Sequence, residues 1–307
     1  MVRTPVRRPL VRLTITVVAG AALTVSGGGS VSARPVPVTA SSAGAVGVPL
    51  GSTSPGSAVP AKTLPTGYSC RSIVSTSVTY ACVIGLSVDG RAIVAERQGN
   101  PKATRVLVLI GQMHGEEWPG PKAVDVVRAT PVAPNAGFVI WTVRTMNPDG
   151  GAIGRRRNSH GVDLNGNFAN KFTRTPDSGP YAFSEPESRA MARFLTWVQP
   201  DLVISLHGFS EAVDTTGGGN RAALARRFSA LSGITPAHAV PCGRPCTGNM
   251  TDWYTATSTV RGVAFTVEMP RSSLVRQRCG VAGRPARATP IQCTAWAAVR
   301  LVSQLPG

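Results

Sequence analysis

Acidic residues are scarce in this chain: 15 Asp and Glu stand against 32 Lys and Arg in 307 residues, a formal charge of +17. Beyond the N-terminus no stretch is long and apolar enough to span a bilayer, so no transmembrane segment is expected in the mature protein. No basic run is interleaved with aromatics and no nucleic-acid motif is present, so nucleic acid is not an expected partner despite the charge. There is no G-x-S-x-G elbow, which argues against a serine hydrolase of that kind, and no internal repeat. The arginine excess is attributed to solubility; attraction to an anionic polymer such as a teichoic acid is the alternative.

The chain opens on the basic stretch MVRTPVRRPLVR, followed by an apolar run from Leu13 to Val25 and small residues ending Val31-Ser32-Ala33. These are the three regions of a secretory signal, with cleavage expected after Ala33. The Arg7-Arg8 pair allows the twin-arginine route. Loss of residues 1–33 removes four arginines before the cut, lowering the charge from +17 to +13. Residues 34–69 are dominated by Ser, Pro, Gly, Ala, Val and Thr and cannot bury a core, so they read as a flexible linker. The folded domain is expected over 70–307, secreted and monomeric. An even set of six cysteines in an exported chain points to disulfides. Sequence alone leaves the connectivity open; the local pairs 70–82, 242–246 and 279–293 are the simplest.

Strand and helix patterns alternate through this domain. VTYACVIGLS and RAIVAERQG flank the turn Val88-Asp89-Gly90 as a hairpin. RVLVLI (105–110) and FVIWTVR (138–144) are continuous apolar runs of the kind found in strands buried on both faces. Further strands are predicted over 201–206 and 262–268. Helices are predicted over 121–130, from a Ser184/Glu187 capping box to about Val198, over 221–231 and over 295–303. Asn147-Pro148-Asp149-Gly150 reads as a turn. The pattern predicts an α/β domain with a mixed, mostly parallel central sheet and helices on both faces.

His114, Asn147, His207 and Glu268 each follow or end a predicted strand, where ligands of such sheets bind. His114 and Glu117 are three residues apart, a spacing at which an imidazole and a carboxylate can point the same way. Two histidines, one carboxylate ligand and a spare carboxylate are the parts that a hydrolytic zinc centre needs. A carboxylate ending an apolar strand, as Glu268 does, is costly unless paired or used.

Taken in order, GQMHGEE (111–117), NPDG (147–150), the run from Arg156 through Asn158, Gly161 and Asp163 to Phe168, SLHG (205–208) and TVEMP (266–270) resemble the zinc carboxypeptidase (carboxypeptidase A-like) family. The compact bacterial murein peptide amidase branch looks most similar. The resemblance spans roughly residues 80–305. It implies one zinc ion held by His114, Glu117 and His207, with Glu268 as general base and Arg156 facing the oxyanion. It also implies Asp163 as a group orienting His114 or its loop, and Asn165 and Tyr254 as substrate-binding residues. Arg155 and Arg157 flank Arg156, so that assignment can slip by one.

One departure is marked. The family usually reads D-L-N-R-N, whose arginine grips a substrate carboxylate; here the run is Asp163-Leu164-Asn165-Gly166-Asn167. A bidentate carboxylate clamp is therefore missing, and Arg221 and Arg271 are the candidates to replace it. The expected function is a secreted zinc peptidase cutting a peptide or amide bond near a chain end, with peptidoglycan peptides as substrate. The alternatives are a non-catalytic cell-wall-binding protein of the same fold and a carboxypeptidase acting on secreted proteins.

Overall fold

The computed structural model describes residues 63–73, 77–238, 247–272 and 275–306. The expected leader at 1–33, most of the linker and the 242–246 cysteine pair lie outside them. Residues just before Cys70 are not loose, however. Trp197 Nε1 donates to the Thr63 carbonyl at 3.1 Å, and the Tyr68 ring meets Trp197 edge-on. Packing thus begins several residues earlier than composition alone indicated.

Nine strands form the main sheet: β1 (Ser69–Ser72), β2 (Tyr80–Leu86), β3 (Ala92–Gly99), β4 (Arg105–Ile110), β5 (Phe138–Val143), β6 (Leu202–Gly208), β7 (Ala212–Asp214), β8 (Thr235–Ala237) and β9 (Val263–Met269), in the order β1-β2-β3-β5-β4-β6-β9-β7-β8. The central four, β5-β4-β6-β9, run parallel. The flanking β1-β2-β3 meander and β7 join antiparallel. A separate two-stranded ribbon pairs β10 (Gln277–Arg278) with β11 (Arg287–Ala288). The helices are α1 (Pro119–Ala129), α2 (Pro148–Ile153), α3 (Pro186–Val198), α4 (Gly219–Ser232), α5 (Met250–Thr257) and α6 (Pro290–Ser303).

Side chains of successive strand residues point to opposite faces, and the two cores follow this alternation. Leu107, Leu109, Ile204, Leu206, Phe265 and Val267 pack with α1, α4 and α6 on one face. Val108, Ile110, Val203 and Ala264 pack with α3 and α5 on the other. The expected α/β domain with a mixed, centrally parallel sheet and helices on both faces is what forms. The same alternation places His207 and Glu268 on the α3/α5 side. Both are polar, and both come at the strand's last turns, where the sheet ends and the buried apolar run can stop.

Several local expectations change. NPDG is not a free turn: Asn147 caps α2, its side chain accepting from the Gly150 N–H. The capping box at Ser184/Glu187 does not form. Glu185 is the N-cap residue of α3, and Glu187 instead turns inward to accept from the Val88 N–H at 3.1 Å and from Asn158 at 3.1 Å. A buried long-range partner outcompetes the local one. A true capping box sits at Thr289/Gln292 and starts α6 earlier than the apolar pattern indicated. Cys70–Cys82 clips β1 to β2, and Cys279–Cys293 ties the chain after β10 to α6, matching two of the local pairs.

Candidate metal centre

The centre forms where β4, β6 and β9 end. β4 stops at Ile110, and the chain turns through Gly111–Glu117 into α1. This segment is held against two others. Gln112 Nε2 donates to the Gly115 carbonyl at 2.9 Å, and the Gly115 N–H donates to the Arg156 carbonyl at 3.3 Å. Asn147, fully buried, donates to the carbonyls of Met113 and Arg156. One amide therefore fixes the segment that carries His114 to the loop that carries Arg156. The sequence signal for this staple was only that Asn147 follows a strand.

His114, Glu117 and His207 are each 2% exposed, and one donor atom from each lies within 4.8 Å of the others. His114 Nδ1 is 2.8 Å from Glu117 Oε1, His207 Nδ1 is 3.1 Å from Glu117 Oε2, and the two Nδ1 atoms are 3.1 Å apart. The other ring nitrogens point away. His114 Nε2 meets Asp163 Oδ1 at 3.0 Å, and His207 Nε2 meets Ser205 Oγ at 3.1 Å. The Asp163 carboxylate accepts the proton of His114 Nε2, and with Ser205 accepting in the same way from His207 Nε2 both Nδ1 lone pairs converge on the carboxylate. Two buried lone pairs facing each other at that distance, beside a carboxylate, repel unless a proton or a cation lies between them. The residues fit a divalent ion of the zinc type, for which imidazole nitrogen and carboxylate oxygen are suitable donors.

The electrostatics of the cluster agree. Burial opposes charge on His114, but the hydrogen bonds and charges of Asp163 and Glu117 outweigh it and raise its pKa to about 9. Burial works against the Glu117 anion, but His207 and then His114 bring its pKa down to about 2. Asp163 is likewise held low against burial, by His114 first and then Arg156. The cluster attracts positive charge to the point between the rings.

Glu268 stands beside this group, paired in register with His207 across β6 and β9. It is 8% exposed, and its Oε2 has no hydrogen-bond partner among the described residues. Burial raises its pKa and the Glu117 charge reinforces this, against the pull of His207, His114 and Arg156. An unpartnered buried carboxyl whose affinity for protons is raised suits proton transfer. Arg156 closes the other side, with Nε 3.0 Å from Asp163 Oδ2 and Nη1 3.4 Å from Glu117 Oε1. Its neighbours do not compete: Arg155 makes no ion pair among the described residues, and Arg157 pairs with Asp177 at 2.8 Å.

A buried network behind Arg156 holds its loop. Asn158 donates to Glu185 at 2.7 Å and to Glu187 at 3.1 Å. Asp149, in turn, anchors the β2–β3 turn through Ser87, the Asp89 N–H and Arg91. These carboxylates were legible in the sequence as an SEPE and an NPDG motif, but not as a scaffold for the site.

The expected substrate residues divide. Asn165 lies on the 3₁₀ turn Leu164–Gly166 beside Asp163, half-buried, with its N–H bonded to Asp163 Oδ1. Tyr254 is not brought to the cluster. It is 1% exposed in the α3/α5 core, and its hydroxyl donates to the Pro200 carbonyl. Pro200 precedes β6, whose far end carries His207, about 20 Å away along the strand. Trp253 is core as well, packed on Phe168 and Phe183. Apolar surroundings and a backbone acceptor satisfy Tyr254 without a ligand.

A zinc carboxypeptidase family model matches residues 75–277, and the chain belongs to that family. Among solved structures, the murein-tripeptide amidase MpaA from Escherichia coli O157 superposes with a TM-score of 0.56 at 20% identity, over 74% of this chain and 93% of that one. Carboxypeptidase A from Helicoverpa armigera gives 0.56 at 18% identity, over 75% of this chain and 68% of that one. The curated relative carboxypeptidase SOL1 of Arabidopsis thaliana is 27% identical over 139 residues, 41% of this chain but only 28% of that protein.

Proposed function

We propose that the chain is an exported zinc peptidase that hydrolyses a peptide or amide bond near the end of a peptide, with cell-wall peptides as substrate. The observation that carries the reading is the convergence of His114 Nδ1, His207 Nδ1 and Glu117 next to a buried, unpartnered Glu268 carboxyl. Zinc held by His114, Glu117 and His207 would polarise the scissile carbonyl and acidify the attacking water. Glu268 accepts the proton of that water and returns it to the departing amine nitrogen. Arg156 faces the negative charge that grows on the carbonyl oxygen, so its attraction is greatest in the transition state. Asp163 holds the His114 ring by Nε2 and the Arg156 guanidinium by Nε, which keeps the two in fixed relation.

Export is supported by two disulfides. The cell-wall substrate is supported by the fold shared with a murein-tripeptide amidase over nearly all of that protein. The test is metal analysis of the purified chain together with hydrolysis of a panel of muropeptides and C-terminal peptides. One zinc per chain is expected, with Glu268→Gln keeping the zinc and losing about 10²- to 10⁴-fold in kcat. A chain without stoichiometric zinc, or a Glu268→Gln variant as fast as its parent, overturns the reading.

A further inference from the structure

The missing arginine at 166 leaves open which group meets a substrate carboxylate, and the two candidates now separate. Arg221 is buried and neutralised, with Nη2 3.2 Å from Asp214 and Nη1 2.5 Å from Asp252. Arg271 is exposed and has no acidic partner among the described residues. Its guanidinium carbon lies 4.1 Å from the centroid of the Phe209 ring.

The place of this pair in the sheet is what matters. Phe209 comes two residues after His207, and Arg271 three after Glu268. The strands that lead to them are neighbours, with His207 opposite Glu268 and Gly208 opposite Met269. The stacked pair therefore follows the same strand ends that carry a proposed metal ligand and the proposed base. Three residues span at most about 10 Å of backbone, so the Arg271 Cα stays within about that distance of the Glu268 Cα. Stacking on a ring fixes the guanidinium plane and leaves its edge N–H donors free. A planar fork of donors without a counter-ion matches a carboxylate.

We propose that Arg271, stacked on Phe209, receives a substrate carboxylate one or two residues from the bond that is cut, replacing the fork absent at Gly166. The inference rests on the peptidase function proposed above. It makes the enzyme selective for peptides that carry a free carboxylate near the cleavage point.

The test uses the zinc-loaded full chain and two probes: a murein tripeptide with free carboxylates, and the same peptide with those carboxylates amidated. Arg271→Ala is expected to raise KM for the free acid about tenfold to a hundredfold, the range of a charge-assisted hydrogen bond pair. It should leave kcat within about twofold and the amidated peptide unchanged. Arg271→Lys should recover only part of the loss, because an ammonium lacks the planar fork. Arg174→Ala, on the cavity lined by His160 and Val162, should behave as wild type. Calorimetric titration of the Glu268→Gln protein with and without Arg271→Ala reads the same preference without turnover. Equal effects on acid and amide, or no effect on either, overturn the assignment. If the wild type cuts neither peptide the cell-wall substrate reading fails, while the calorimetric preference for the acid, lost or kept on removing Arg271, still decides the role of Arg271; binding of neither peptide also overturns it.

Discussion

Gly115 and Gly166 both lie beside the metal centre, and they are glycines for opposite reasons. A Cβ at Gly115 would run into the backbone of Gly150 and the Arg155 carbonyl. The segment carrying His114 and Glu117 is therefore pressed backbone to backbone against the loop carrying Arg156, and no side chain fits. A Cβ at Gly166 would rest 3.5 Å from Ser178 Cβ, an ordinary contact, with φ outside the left-handed region. Nothing in the backbone requires glycine there. The first glycine keeps the His114 segment against the Arg156 loop; the second leaves the Asn165 turn without a side chain that would fit there. The packing is tight around the candidate metal cluster and open at the proposed substrate side.

Substitutions can break this contrast, and the largest effect is expected at Gly115. Gly115→Ala should cost at least about 3 kcal/mol through backbone overlap and should displace His114 and Glu117 enough to lose zinc. Gly166→Ala should change stability by no more than about 0.5 kcal/mol and keep the metal. Thermal unfolding and zinc content of the two purified variants decide the matter; a Gly115→Ala protein with full zinc would refute the packing account. An intermediate effect is expected at Asn158, whose amide serves two buried carboxylates at once. Asn158→Ala should cost about 1–3 kcal/mol for the groups left unpaired and lower kcat by loosening the Arg156 loop, with zinc retained. If kcat is untouched while stability falls, the network supports the fold and not Arg156. The smallest effect belongs to Tyr254. Tyr254→Phe should lose about 1 kcal/mol for one buried hydrogen bond with KM unchanged; a raised KM would return Tyr254 to the substrate.

The metal half of the site was the legible half. His114 and Glu117 are three positions apart, and His207 and Glu268 end apolar runs, so their places at strand ends put them at one end of the sheet. Asp163 was legible, through the resemblance, as a group orienting His114 or its loop. What could not be read is whatever depends on a distant partner. Ser184 and Glu187 had the local form of a capping box, yet Glu187 found Val88 and Asn158, each far along the chain. Tyr254 stood in the right stretch for a substrate wall, yet α5 turns it into the core toward Pro200. Arg221 and Arg271 were equivalent as cations; one is neutralised by Asp214 and Asp252 and the other stacks on an aromatic ring.

By itself the amino-acid sequence determined the alternation of buried strands and helices, the strand-end positions of the metal donors and the loss of the arginine at 166. These are local properties, set by side-chain period and by residue type. The tertiary structure alone decided which buried carboxylate is paired and which is left open, which ring nitrogen faces the metal position and which arginine stays free to meet a substrate. Each of those is set by strand register and by contacts between residues tens of positions apart, which local pattern does not encode.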